Sequence, residues 1–117
     1  MDKIKILIAD DHSMVREGLK QIIELEDDLE VIGQSGNGEE AIDKIKLKNP
    51  DVVLLDINMP KMNGLEVLQY IRDHGMKTNV LILTIHNEVE YLYKAVEIGV
   101  NGYVLKDSES DVLIKAI

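Results

Sequence analysis

The sequence predicts an α/β domain, a five-stranded parallel sheet of the doubly wound kind with helices on both faces. Three observations carry the prediction. Short aliphatic runs alternate strictly with stretches of helical spacing; the first, third and fourth runs are nearly all aliphatic; and 117 residues leave room for one core. Strand–helix alternation implies parallel pairing, and a parallel strand buried on both faces reads as an unbroken apolar run.

The elements follow in order. The first strand is Ile4 to Ala9, and the helix after it places Val15, Leu19, Ile22 and Ile23 on one face. The second strand, Leu29 to Ser35, carries Glu30 and Gln34 and is therefore expected at a sheet edge. Asn37 with Glu40 resembles a capping box opening the second helix, whose apolar face is Ala41, Ile42 and Ile45 and which Pro50 is expected to end. The third strand is Val52 to Leu55, and Leu65, Leu68 and Ile71 then mark a helix with Gly75 at its left-handed end. The fourth strand is Val80 to Leu83. A second capping pair, Asn87 with Glu90, precedes a helix marked by Val89, Leu92 and Val96 and closed by Gly99. The fifth strand is Gly102 to Leu105. From about Ser108 the spacing of Val112, Leu113 and Ala116 is helical again, and it stops at Ile117 with no cap, as expected of a helix truncated from a larger protein.

Composition narrows the function classes. Thirteen Lys and Arg against 22 Asp and Glu give a net charge of −9, which argues against direct nucleic-acid binding and against an anionic membrane surface. The absence of cysteine excludes disulfides, thiol catalysis and Cys-based zinc sites. Apolar runs fall far short of the ~20 residues of a membrane span. The charged first ten residues are no signal peptide, so a cytoplasmic setting is expected.

The C-terminal strand ends of such a sheet lie along one edge, where ligands bind. Here they deliver Asp10 and Asp11, then Asp56 followed by Asn58, then Thr84, then Lys106. Taken singly, each has a plain reading: a solvated loop pair, a turn residue, a strand-end hydroxyl, a surface lysine. Their convergence is what carries information. Clustered carboxylates repel one another, and a divalent cation resolves the conflict. Oxygen ligands without Cys or His point to Mg²⁺, with Mn²⁺ as the alternative. An ammonium and a hydroxyl beside that ion make a site for phosphoryl transfer, with Asp56 the candidate nucleophile.

These residues carry a resemblance that runs the whole length of the chain. Ala9-Asp10-Asp11-His12, Leu54 to Pro60 (with Asp56 four residues before Pro60), Met62-Asn63-Gly64, Leu83-Thr84 and Gly102 to Lys106 together resemble the receiver domain of a two-component response regulator. The resemblance implies residues 1–117 as one phosphoacceptor domain, with the flavodoxin-like strand order 2-1-3-4-5. It implies Asp56 as the acceptor of a phosphoryl group from a sensor histidine kinase. Asp11 and Asp56 would bind Mg²⁺ directly, Asp10 through water and Asn58 through its backbone carbonyl. Thr84 and Lys106 would engage the phosphoryl group, and Tyr103 would swing inward as Thr84 moves. Lys106-Asp107 and the segment from Gly99 onward are similar to the branch that carries a C-terminal helix-turn-helix DNA-binding domain, with homodimerisation on phosphorylation a further implication. Two departures stand out. Asp107 replaces the proline common after the lysine, where a cis bond would cost ~3 kcal/mol. Ile85 replaces a smaller residue, and its bulk is expected to narrow access to the phosphate.

Two rival functions are weaker. A Mg²⁺-dependent phosphohydrolase with an Asp nucleophile would want an acid at position 58, where Asn58 stands. A receiver-like interaction module independent of phosphate would not need the complete residue set. His12, His74 and His86 lack metal-ligand spacing; His12 and His86 flank the crevice and read as exposed loop residues. Gly33, Gly36 and Gly38 have the wrong spacing for a dinucleotide loop. Tyr91 and Tyr93 read as a protein-contact face, and the five methionines as packing.

Overall fold

A computed structural model describes residues 3–84 and 89–105. Strands β1 (Ile4–Ala9), β2 (Leu29–Ser35), β3 (Val52–Leu55), β4 (Asn79–Thr84) and β5 (Gly102–Leu105) alternate with helices α1 (Ser13–Glu24), α2 (Gly38–Lys48), α3 (Gly64–Asp73) and α4 (Val89–Ile98). The sheet is parallel throughout in the order β2-β1-β3-β4-β5, as expected, with β2 at an edge. The fourth strand extends one residue beyond the expected run at each end, because Asn79 and Thr84 pair with Val52 and Leu105 despite their polarity.

Strand alternation sorts the core into two layers. Leu7, Val53, Leu55, Val80 and Ile82 turn to the face covered by α2, α3 and α4, where they meet Ile45, Leu68, Ile71 and Ala95. Ile6, Ile8, Leu54, Leu81 and Leu83 turn to the other face, where Ile23 and Leu19 of α1 pack. The period of two thus divides each central strand between two helical layers. Among the described residues no helix is long and apolar enough to cross a membrane.

Helix ends match the expectations in part. Gly75 and Gly99 have φ of 65° and 110°, the left-handed turn expected after α3 and α4. At α2 the stop is Asn49, left-handed at φ 49°, so the helix is already closed before Pro50. The Asn37 side chain accepts from the Glu40 backbone N–H at 2.8 Å, but the box is not reciprocal: the Glu40 carboxylate pairs instead with Lys44 at 2.9 Å. The full box belongs to Asn63 and Glu66 at α3, a pair absent from the expectations above. Asn87 of the Asn87–Glu90 pair and the segment after Leu105 lie outside the described residues.

One cationic side chain ties three elements. The Arg72 guanidinium donates to the carbonyls of Gly99 (2.8 Å) and Thr78 (3.1 Å) and to the Asn101 side chain, whose oxygen also accepts from the Val80 N–H at 2.7 Å. Arg72 therefore anchors the α4–β5 turn to α3 and to the start of β4. Arg72→Ala is expected to lower unfolding free energy by about 2 kcal/mol, from several charge-assisted bonds lost at a half-buried site. Denaturant unfolding within about 0.5 kcal/mol of the unmodified chain would contradict that role.

Candidate functional site

Register brings the acidic residues together. Ala9 pairs with Leu55, and the Asp56 N–H donates to the Ala9 carbonyl at 2.9 Å, so Asp10 and Asp56 leave adjacent strands side by side. Both continue the alternation of Ile8 and Leu54 and emerge on the α1 side of the sheet. They are among the few charged side chains that are buried, 2% and 4% exposed respectively, whereas Asp11 is open to solvent.

The turn from β1 into α1 sets the remaining geometry. The His12 backbone N–H donates to Asp10 Oδ1 at 2.9 Å. The same ring's Nδ1 lies 3.0 Å from Asp10 Oδ1 and 2.9 Å from Asp11 Oδ1. One ligand-capable atom from each of Asp10, Asp11, His12 and Asp56 falls within 4.8 Å of all the others. Arg16, one turn into α1, donates to the Asp10 carbonyl and, at 3.2 Å, to Gln34 Oε1 on β2. It pins the Asp10 turn against the sheet edge, a role no spacing in the sequence signals.

The loop after β3 is held just as closely. The Gly64 N–H donates to the Ile57 carbonyl at 2.9 Å, and a Cβ built on Gly64 would lie 2.3 Å from the Asp56 carbonyl oxygen. Between them Lys61 adopts φ 68° and the Met62 N–H bonds the Pro60 carbonyl at 2.7 Å, a tight turn in a sparsely populated conformation. Asn58 is exposed at the mouth of this loop.

The other expected residues divide by position. The backbone of Thr84 ends β4 beside Leu105, at the same sheet edge as Asp10 and Asp56. The Thr84 side chain, Ile85, His86, Lys106 and Asp107 lie outside the described residues. Tyr103 on β5 packs against the layer shared with α2, α3 and α4, and its hydroxyl is buried. His12 is exposed just before α1, as expected, and its ring contacts both members of the acidic pair. One reading needs correction. Met14 is 87% exposed on the first turn of α1, so it does not serve packing; Met59 is buried, and Met62 and Met76 pack at the core's margin. Met14 lies off the face shared by Val15, Leu19, Ile22 and Ile23, about 100° from Val15 around the helix.

Carboxylates this close, with two of them buried, repel by a few kcal/mol per charged pair at the effective dielectric of a protein surface. A small divalent cation fits the set. Opposite ligands of a Mg²⁺-sized ion stand roughly 4 Å apart, close to the spread of the donors here. The oxygens of Asp10, Asp11 and Asp56 are the ones positioned to hold it.

Comparison with known proteins gives a consistent result. A family model described as the response regulator receiver domain matches residues 6–117. The transcriptional regulatory protein DegU of Brevibacillus brevis is 40% identical over 116 residues, which is 99% of this chain and 49% of that protein. The nitrate/nitrite response regulator NarL of Escherichia coli K12 is 41% identical over 112 residues, 96% of this chain and 52% of that protein. The chain thus spans about half the length of these curated relatives. Among solved structures, a DNA-binding response regulator of the LuxR family from Staphylococcus aureus superposes with a TM-score of 0.93 at 39% identity, covering 97% of this chain and 94% of that one.

Proposed function

Because the chain belongs to the response regulator receiver family, regulatory rather than catalytic in kind, we propose that it is a phosphorylation-controlled switch with Asp56 as the phosphoacceptor. The observation that carries this reading is the buried Asp56 carboxylate gathered with Asp10 and Asp11 at the C-terminal edge of a parallel sheet. An Asp56 oxygen attacks phosphorus as the N–P bond of a kinase phosphohistidine breaks, and the imidazole leaves with its electron pair. Mg²⁺, held by Asp11, Asp56 and the Asn58 carbonyl and through water by Asp10, would neutralise charge on the phosphoryl oxygens. Mn²⁺ has the same ligand preferences.

Lys106 and the Thr84 hydroxyl would then engage the new phosphate, and Tyr103 would follow Thr84 inward. The phosphate shifts a two-state equilibrium by contacts it makes in one state only. α4 is the surface positioned to report the shift: Tyr93 is 66% and Val96 60% exposed there, beside a half-exposed Leu92. A sensor histidine kinase upstream, a C-terminal helix-turn-helix output domain, homodimerisation on phosphorylation and a cytoplasmic location complete the proposal, supported by the kinds of regulator the chain resembles.

Acetyl phosphate with Mg²⁺ is expected to add one base-labile phosphoryl group per chain, read by intact-mass spectrometry, and chelation of the metal is expected to prevent it. A chain that gains no mass under these conditions refutes the proposal. Sustained turnover of a generic phosphate ester would mark a phosphohydrolase instead.

A further inference from the structure

The Asp10 backbone is fastened to the edge strand through both of its peptides. Its N–H donates to the Ser35 carbonyl of β2 at 3.0 Å. Its carbonyl accepts from Arg16 Nη1, while Nε of the same guanidinium donates to Gln34 Oε1 of β2 at 3.2 Å. Gln34 is braced in turn: its side-chain amide donates to Glu17 Oε1 at 3.4 Å, and its carbonyl accepts from Lys44 of α2. The Asp10 carbonyl lies in one rigid plane with the N and Cα of Asp11. Holding that oxygen fixes the torsion that sets the direction in which Asp11 leaves the chain. Asp10 itself is 2% exposed and walled in, whereas the Asp11 side chain is 34% exposed and depends more on its backbone for direction.

We propose that Arg16 is a positioning residue for the metal site: its guanidinium orients the Asp10–Asp11 peptide, and with it the Asp11 carboxylate that would take Mg²⁺ directly. Arg16 supplies shape rather than charge. Its planar fork engages a carbonyl on the β1–α1 turn and an amide on β2 at once, a span that the point charge of a lysine ammonium does not reproduce. The two roles differ in sign. A cation near the cluster competes with a divalent ion for the carboxylates, so by charge alone its removal would tighten Mg²⁺ binding. Loss of a positioning contact loosens it.

The inference rests on the acidic cluster being the metal site of the proposed switch, and its test separates the two. The unmodified chain is compared with Arg16→Lys, Arg16→Met, Gln34→Leu and the double variant Arg16→Lys with Gln34→Leu. Arg72→Ala is the control for lost stability, since its contacts lie just before β4 and β5, at the opposite edge of the sheet. MgCl₂ is titrated by calorimetry, and phosphoryl uptake from acetyl phosphate is followed across Mg²⁺ concentration. Both Arg16 variants are expected to lose about tenfold in Mg²⁺ affinity, as loss of a contact that orients a ligand does. Uptake should need correspondingly more Mg²⁺, yet reach a rate within about twofold of the unmodified chain once the ion saturates. Gln34→Leu is expected to show a smaller loss, and the double variant no more than Arg16→Lys alone, because the two side chains act as one support. Arg72→Ala is expected to bind Mg²⁺ as the unmodified chain does. Affinity unchanged in both Arg16 variants, affinity raised in Arg16→Met, full rescue by Arg16→Lys, or an equal loss in Arg72→Ala overturns the positioning role and leaves the switch standing. Failure of the unmodified chain to bind Mg²⁺ overturns the metal-site reading and this inference with it.

Discussion

Asp56→Asn is expected to take up no phosphoryl group from acetyl phosphate at any Mg²⁺ concentration and to keep its fold. The substitution keeps the shape of the side chain and removes the anionic oxygen proposed to form the bond to phosphorus, so the expected loss is complete rather than partial. Magnitudes separate this from simple disruption. Asp56 is 4% exposed in a cluster with two other carboxylates, and removing one charge relieves repulsion that metal-free folding must overcome. Thermal unfolding without metal is therefore expected at an equal or higher temperature, by on the order of 1 kcal/mol. Mg²⁺ affinity is expected to fall by about tenfold or more, since one of the proposed direct ligands is gone. A variant that still gains one base-labile phosphoryl group would place the acceptor elsewhere, with Asp10 and Asp11 the nearest candidates.

Much of this site was legible because the signals are local and topology does the rest. Aliphatic runs name the strands, a polar or charged residue closing the first, third, fourth and fifth runs names the strand end, and parallel pairing collects those ends on one edge. Glu30 and Gln34 marked β2 as an edge strand by the same logic. What escaped depended on close approach between segments far apart in the chain. Nothing in the spacing of Arg16 says that its guanidinium reaches the Asp10 carbonyl and Gln34. His12 was weighed by its distance from other histidines, whereas its partners are the two residues before it. At α2, Glu40 had two available partners, and Lys44 one turn on won it from the Asn37 backbone. Asn63, named only as part of the Met62-Asn63-Gly64 motif, caps α3 in full: its side chain accepts from the Glu66 N–H, and the Glu66 carboxylate accepts from the Asn63 N–H.

The same glycine-to-alanine change is expected to act with opposite signs at two helical positions. Gly18 lies within α1, and a Cβ there would meet nothing within 4 Å. Gly18→Ala should stabilise the chain by about 0.5–1 kcal/mol, the helix-propensity gain with nothing opposing it. At Gly64, the first residue of α3, the added carbon would lie 2.3 Å from the Asp56 carbonyl oxygen and 3.0 Å from the Ile57 Cα. Both obstacles are backbone, so no side chain can turn aside. The propensity gain of at most about 1 kcal/mol is then outweighed by an overpacking cost of roughly 3 kcal/mol. Relief requires α3 to back away from the β3 loop or that loop to shift. Because the loop begins with the proposed phosphoacceptor, a cost in function is expected too: Gly64→Ala should unfold about 2 kcal/mol more easily and bind Mg²⁺ more weakly, whereas Gly18→Ala is expected to leave Mg²⁺ affinity as it was. Equal stability changes at the two glycines, or a Gly64→Ala chain with intact Mg²⁺ affinity, would show that the Asp56 backbone does not depend on the close seat of α3.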